Sequence, residues 1–336
     1  MMRPGKISEA VYKRLFLNGI AEKNTQKICQ SAGIGVDACV HRAIGGVCPV
    51  TSAATVTGIT KKIGVFALYR AINSLAAMGA IGKSIWVSFL FPDWFWESDL
   101  KGEIEQLRDA AAELKTEVAG IYAESVTGLL KPMITISAYG ETGEKEWVTP
   151  RQIKAGMDIV MTKDAGTEGA VMLAFEREEE LLKRFSPAFV EQIQRMFDRI
   201  SAVKEAEAAV RYGVKAMHAV GEGGVFGALW ELAEAAGLGL EVKVREIPIR
   251  QETVEVCEFF QVNPYQIPSA GSLLIVTEEG HRLAEEFTQR GFCAAVIGRI
   301  TEGKERVLFQ EEEKRYLEPP KMNELLKGLT ENKVGG

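Results

Sequence analysis

The chain has 336 residues, 46% hydrophobic and 26% charged, with a net charge of −6, the balance of a globular protein of two domains without a broad basic surface for nucleic acid. Its longest apolar runs, such as Val65–Leu68 and Ile85–Phe91, fall far short of the ~20 residues a membrane span needs, and Met1–Lys6 offers no apolar signal core, so a cytoplasmic protein without a membrane partner is expected. Five cysteines, Cys29, Cys39, Cys48, Cys257 and Cys293, form no CxxC pair, which argues against a disulfide framework or a zinc site and points to buried thiols.

Taken in chain order, Ile7, Val11, Leu15 and Phe16 share one side of a helix over Lys6–Leu17, with Ser8 placed to begin it. Gly33–Val40 reads as a strand carrying Asp37 near its middle, followed by the Gly45-Gly46 turn and an extended run over Val47–Val56. A helix is expected over Tyr69–Met78, ending at Gly79. Strands follow at Ile85–Phe91 and Met133–Tyr139, with an amphipathic helix over Asp99–Lys115 between them. The polar stretch Glu141–Pro150 marks a domain boundary.

The second block opens on a strand at Asp158–Thr162, turns through Gly166 and Gly169 and enters a helix at Ala170–Phe175. Ser186-Pro187 is a cap and first-turn pair for a helix running to Arg199. Strands at Leu240–Val244, Leu273–Val276 and Ala294–Ile300 alternate with helices at Thr253–Phe260 and His281–Arg290, and a charged tail with one helix is expected from Glu311. The division that results is 1–32 (arm and helix), 33–148 (N-terminal domain), 149–310 (C-terminal domain) and 311–336 (tail).

The most informative stretch is Met217–Leu240. Gly221-Glu222-Gly223-Gly224 runs directly into Val225, Leu229, Leu232 and Ala236 at helical spacing. A tight turn therefore delivers the chain onto a helix N-terminus, where backbone N–H groups and the helix dipole can hold an anion; glycines serving only as a turn are the other reading.

This stretch resembles the AIR-synthase-related (PurM-like) superfamily, particularly its hydrogenase-maturation branch, HypE. The family's Met-His-Asp-Pro-Thr-Glu-Gly-Gly signature and the following Glu-Leu-Ala-Glu helix match Met217, His218, Glu222, Gly223, Gly224 and Glu231–Glu234, with Ala219, Val220 and Gly221 standing for Asp, Pro and Thr. The resemblance extends over roughly residues 5 to 308. It implies a two-domain α/β (α+β) fold, in which the N-terminal domain joins a second copy in a dimeric β-barrel and the C-terminal domain is an α/β sandwich. ATP is then expected between the domains at the dimer edge.

The family's chemistry, activation of a carbonyl oxygen by phosphorylation from ATP, needs carboxylates to hold Mg²⁺ against a triphosphate. Against the family's acid motifs the chain has Val36 beside a retained Asp37, Ala54 and Ser74 for aspartates, Ala219 for a fourth, and keeps Glu124 and Glu222. Asn73-Ser74-Leu75-Ala76-Ala77-Met78-Gly79-Ala80 is among the closest matches. The resemblance thus implies Lys6, Asp37, Asn73, Glu124, Gly221, Gly223 and Gly224 as nucleotide contacts, and Asp37, Glu124 and Glu222 as the carboxylates left for a metal. Glu222 and His218 are the catalytic candidates; alone, these residues also read as a turn cap, a surface ion pair, a loop acid and a core histidine. Trp86, Trp94, Phe95 and Trp96 cluster around Pro92, either as packing or as a partner site if exposed.

Two readings follow. In the first, the chain is a homodimer with a degenerate Mg²⁺-ATP site that binds a nucleotide, another small anionic ligand or a protein partner without phosphoryl transfer. In the other it is an active ATP-dependent enzyme of the HypE type. Three acids in place of seven, and the absence of a cysteine after Cys293 where that branch ends in one, favour the first.

Overall fold

The computed structural model describes residues 9–17, 27–311, 313–319 and 324–330. Two sheets carry the chain. The first has six strands in the order β1-β2-β3-β6-β4-β5, formed by Ile28–Gln30, Cys39–His41, Val47–Thr57, Met133–Gly143, Ile81–Pro92 and Glu117–Val126 respectively. Its neighbours are antiparallel except β4 and β5, which run parallel and leave β5 at the edge. The second has seven strands, and its middle is built from β7 (Asp158–Thr162), flanked antiparallel by β10 (Leu273–Thr277) and β11 (Ala294–Thr301). β8 (Ala216–Ala219) closes one edge; β9 (Gly239–Lys243), β12 (Arg306–Gln310) and β13 (Glu313–Tyr316) extend the other.

Both sheets follow from hydrophobic pattern. β3 and β6 alternate buried and exposed residues, so one face of the first sheet packs and the other meets solvent. All five residues of β10 are buried, the pattern of a strand covered on both faces. Helix Ile63–Ala77 lies against the packed face of β3 and β6 and also touches β8 of the second sheet. Twelve of its fifteen residues are buried. Phe66, Leu68 and Leu75 are fully enclosed, each worth about 1.5–3 kcal/mol of burial.

The sequence reading meets several corrections. Helix Ile63–Ala77 begins six residues before the expected Tyr69, because the glycine-containing start Ile63-Gly64-Val65 is itself packed, with Glu103 accepting the N–H groups of Lys62 (2.7 Å) and Gly64 (3.3 Å). Gly33–Val40 is not one strand: a turn over Gly33–Val36 precedes Asp37, and only Cys39–His41 pairs in the sheet. β5 and helix Val203–Tyr212 were absent from the expected elements. The stretch after Glu311 contains more than a solvated tail, since β13 pairs with β12 and helix Leu325–Leu329 buries Leu325 while Arg177 Nη1 donates to Gly328 O at 2.7 Å. Of the cysteines, Cys48 and Cys257 are buried as expected, but Cys29 and Cys293 are exposed. Among the described residues no helix is long and apolar enough to cross a membrane.

Candidate functional site

The site lies where the Gly33–Val36 turn, β8 and helices Gly224–Ala236 and Ile63–Ala77 meet. Gly35 has φ +68°, and a Cβ there would stand 2.1 Å from Glu231 O. Only glycine lets this turn press onto the neighbouring helix. The contact aims Asp37 at β8, where its Oδ2 lies 2.8 Å from His218 Nδ1 and its carboxylate accepts the Ala219 N–H at 3.3 Å. On the far side of the ring, His218 Nε2 is 3.3 Å from Glu231 Oε2.

His218 is 4% exposed and faces a carboxylate at each nitrogen. Burial works against its charge, but Asp37 and then Glu231 outweigh it and raise its pKa to about 10. The ring is therefore an imidazolium donating from both nitrogens, a fixed cation between two fixed anions. The single surviving aspartate of the first acid motif is committed to it.

A second fixed pair lies on helix Ile63–Ala77. Arg70 Nε donates to Glu168 Oε1 at 2.6 Å, and Glu168, with 0% exposure, accepts the Ala270 N–H at 3.0 Å through Oε2. Burial opposes the Arg70 charge, but Glu168 and then Glu222 hold its pKa above the usual value. Glu222 thus sits in the field of a guanidinium. Asn73, expected as a nucleotide contact, spends its whole amide on the second domain: Nδ2 donates to Ile200 O and Oδ1 accepts from Ala202 N–H, both at 2.8 Å.

The positions that replace aspartates are distributed along the same helix and its neighbours. Val36 and Ala54 pack against the core of the first sheet, Ala219 packs beside Ala76 and Ala77, and Ser74 is half-buried. Glu124 is elsewhere, exposed on edge strand β5 with Tyr122 OH donating to it. The expected metal set of Asp37, Glu124 and Glu222 is therefore not assembled within one chain, and among the described residues no three histidine, cysteine or acidic side chains form a group able to hold a metal ion. The residues present do not fit a Mg²⁺ centre. Lys6 and Ser8 lie outside the described residues.

The anion-cradle reading of Gly221, Gly223 and Gly224 is also corrected in part. Of the first-turn donors, Gly224 N–H donates to Gly221 O and Phe226 N–H to Tyr265 O, both at 3.1 Å. Protein carbonyls use donors that an anion would take. Gly224 has φ +63° and its Cβ would stand 2.5 Å from Tyr265 O, so its glycine answers to close packing of the 265–267 loop.

Two clefts of about 590 Å³ flank the turn and share Ala32. One is lined by Lys13, Gln30, Ser31, Arg151 and Glu234. The other opens on the solvent face of the first sheet, with Asp37, Thr51, Trp86, Ser137 and Tyr139 in its walls.

Residues 154–310 match the family described as AIR synthase related protein, C-terminal domain. A putative hydrogenase expression/formation protein of Methanocaldococcus jannaschii is 22% identical over 322 residues, 91% of each chain. Among solved structures, HypE in a HypE–HypF complex superposes with TM-score 0.73 at 18% identity, over 93% of this chain and 100% of that one. Over residues 154–310 the chain carries the AIR-synthase-related C-terminal domain, and over nearly its whole length it is similar to proteins of the HypE-like branch. A HypE solved in complex with ATP has TM-score 0.69 at 16% identity, over 96% of this chain and 97% of that one.

For this HypE-like chain, sequence reasoning passed over Arg70 and Glu168 and took His218 as a lone residue. The signal for Arg70 was available: one cation in a fifteen-residue helix otherwise apolar or neutral requires a buried carboxylate partner. Glu231 was noticed only as part of a helix motif, because its role depends on a fold that brings it to the ring.

Two outcomes test the site's construction. Asn73→Ala strips partners from two backbone groups beside the second domain and should destabilise the protein by about 2–4 kcal/mol, read as a shift in the urea midpoint; a change below about 0.5 kcal/mol would refute the bridging role. His218 has a folded pKa above its unfolded value of 6.5, so its contribution is complete below pH 6.5 and is lost as pH rises toward about 10. The unfolding free energy should fall over that window, and His218→Gln should flatten the fall; identical slopes in both proteins would show that the imidazolium is not the cause.

Proposed function

We propose that this HypE-like protein is a homodimer that binds a nucleotide or similar anionic ligand without Mg²⁺-dependent phosphoryl transfer. The observation that carries this reading is the state of its acids. Asp37 is paired with the imidazolium of His218 and with the Ala219 N–H, and Glu168 is paired with Arg70. Mg²⁺ needs carboxylate oxygens that can turn to it in near-octahedral array. A carboxylate already satisfied by a buried cation would have to break that pair, at a cost of about 3–5 kcal/mol for the charge left behind.

An anionic ligand finds better support one cleft away. Lys13 and Arg151 line the cavity beside Val36, with the backbone of Ser31 and Gly33 between them. Glu234 stands in the same wall; burial pushes its carboxyl up, but Lys13 and Arg306 hold it down to about 2. A phosphate there meets Arg151 from the start of the second domain and shares Lys13 of the N-terminal helix with Glu9 and Glu234. Protein cations then supply part of the charge balance that a metal gives in phosphoryl transfer, but no Lewis acid polarises a terminal phosphate. Related HypE has been solved with ATP, and ATP is the ligand to try first.

The solvent face of the first sheet supports the dimer. Trp86 (52% exposed) lies over Gly120, where a Cβ would come within 2.3 Å of the indole, and Tyr139 is exposed on the neighbouring strand. An aromatic sheet face of this kind is a protein contact surface. A second copy seated on it also covers the cleft that contains Asp37 and the Tyr122–Glu124 pair on β5.

Calorimetric titration with ATP should give binding that changes less than about threefold on adding Mg²⁺, with no ADP released on incubation. Binding that demands Mg²⁺ and yields ADP would overturn the reading. Trp86→Glu should turn a dimeric mass into a monomeric one in light scattering while leaving the thermal midpoint within a few degrees; a wild-type monomer, or a variant that stays dimeric, removes the sheet face as the contact.

A further inference from the structure

The loop from β4 into helix Glu97–Glu113 reads Asp93-Trp94-Phe95-Trp96-Glu97-Ser98-Asp99. Of its three aromatic rings only Phe95 turns inward, with centroids 6.0 Å from both Phe89 and Phe91. Trp94 is 50% exposed and Trp96 75%. Pro92 at the end of β4 pairs with Val126 at the end of β5, so the turn after β5 lies at the same end of the sheet, and it presents Leu130 at 85% exposure. Two half-open indoles and a leucine at one end of a sheet exceed the scattered single apolar residues normal on a protein surface.

The charge around them is of one dominant sign. Asp93, Glu97 and Asp99 are all exposed beside the indoles, although Asp99 also accepts the Trp96 N–H at the helix start. Trp94 and Asp99 form one wall of a cleft of about 680 Å³ whose opposite wall comes from the second domain through Phe175 and Glu178. Of the cations in this cleft, Lys61 is paired with Glu178 at 3.3 Å, and the Lys62 ammonium lies 4.7 Å over the Phe197 ring and 5.7 Å from that of Phe175. Glu103, at the back, holds two backbone N–H groups. The mouth therefore offers an aromatic face next to acceptors on Asp99, with Asp93 exposed on the same loop.

We infer that this end of the molecule docks an arginine-bearing apolar segment of a protein partner. The guanidinium lies in the cleft, flat on Trp94 and donating to Asp99, and apolar side chains cover Trp96 and Leu130. Arginine suits both demands at once, because its planar group stacks on tryptophan while its fork of donors meets a carboxylate. Tryptophan in such a place carries a large share of binding energy. The surface lies at the end of the first sheet and not on the face bearing Trp86 and Tyr139, so it is open whether or not that face is paired. It does not depend on the nucleotide reading.

The test uses the full chain and a short synthetic amphipathic peptide of arginine and leucine, with a matched peptide carrying lysine for arginine, followed by tryptophan fluorescence. The arginine peptide should saturate, shift the emission to the blue and bind several-fold tighter than the lysine peptide. Trp94→Ala and Trp96→Ala should each weaken it by about tenfold or more, and Asp93→Asn combined with Asp99→Asn should weaken it and reduce its salt dependence, with far-UV circular dichroism unchanged in each. Equal affinity of wild type and Trp94→Ala would overturn the proposal, since the peptide would then be following the net charge of −6 alone. Loss of self-association in Trp96→Ala, seen by light scattering, would overturn it in favour of a second copy on the patch.

Discussion

Enclosing helix Ile63–Ala77 on nearly every side is the constraint from which the rest of the structure follows. A buried helix must satisfy every polar group it carries within the protein. Ala71 O accepts from Ser52 Oγ of β3 at 2.8 Å, while Asn73 and Arg70 reach Ile200, Ala202 and Glu168 of the second domain. These bonds fix the two sheets in register across a shared apolar core that contains residues of both domains. Loop Thr60–Lys62 repeats the theme, with Glu176 Oε1 accepting from Thr60 Oγ1 (2.8 Å) and Lys61 N–H (2.9 Å) across the junction.

The same helix determines what the site can do. Its Arg70 and the imidazolium of His218 supply two positive charges, against Asp37, Glu168, Glu222 and Glu231. The excess is two negative charges. A triphosphate is repelled by such a set unless further cations intervene, and at an effective dielectric constant near 20 each unit pair at 4 Å is worth about 4 kcal/mol. On this balance the anion of the proposed function belongs in the cleft containing Arg151 and not beside the acidic set. The positions where the resemblance implies aspartates are filled: Ala219 gives its backbone N–H to Asp37, and Ala54 and Val36 pack against the first sheet's core. The glycines of this scaffold answer to packing, as Gly35 against Glu231 and Gly224 against Tyr265 show, whatever the site binds.

What the sequence showed, and what it hid, divides along the same line. Strand β7 and the capped start at Ser186-Pro187 were legible because burial period and cap chemistry are local; Ser186 Oγ does accept the Phe189 N–H. β5 was not, because eight of its ten residues are exposed and none is buried, so an edge strand that waits for a covering surface carries no two-residue alternation. Within the site, Asp37, His218 and Glu222 were legible as candidates through family motifs, but their roles were not. The His218–Asp37–Glu231 arrangement joins residues 181 and 13 positions apart, and no spacing rule predicts it. Gly224 misled for a related reason: a glycine-rich helix entry that binds an anion and one that admits the carbonyl of Tyr265 have the same composition.

The exposed face of the first sheet gives Glu124 its meaning. A sheet that buries one face against helices and leaves Trp86 and Tyr139 on the other must either be covered or present a sticky surface. β5 is the strand least able to stand alone, with an open edge, parallel pairing to a single neighbour, and Val118, Ile121 and Tyr122 exposed along it. In the proposed dimer the second copy covers this strand, so the Tyr122–Glu124 pair would be set by an assembly and not by one chain. In that dimer Glu124 would lie at an interface between two copies and not on a free sheet edge.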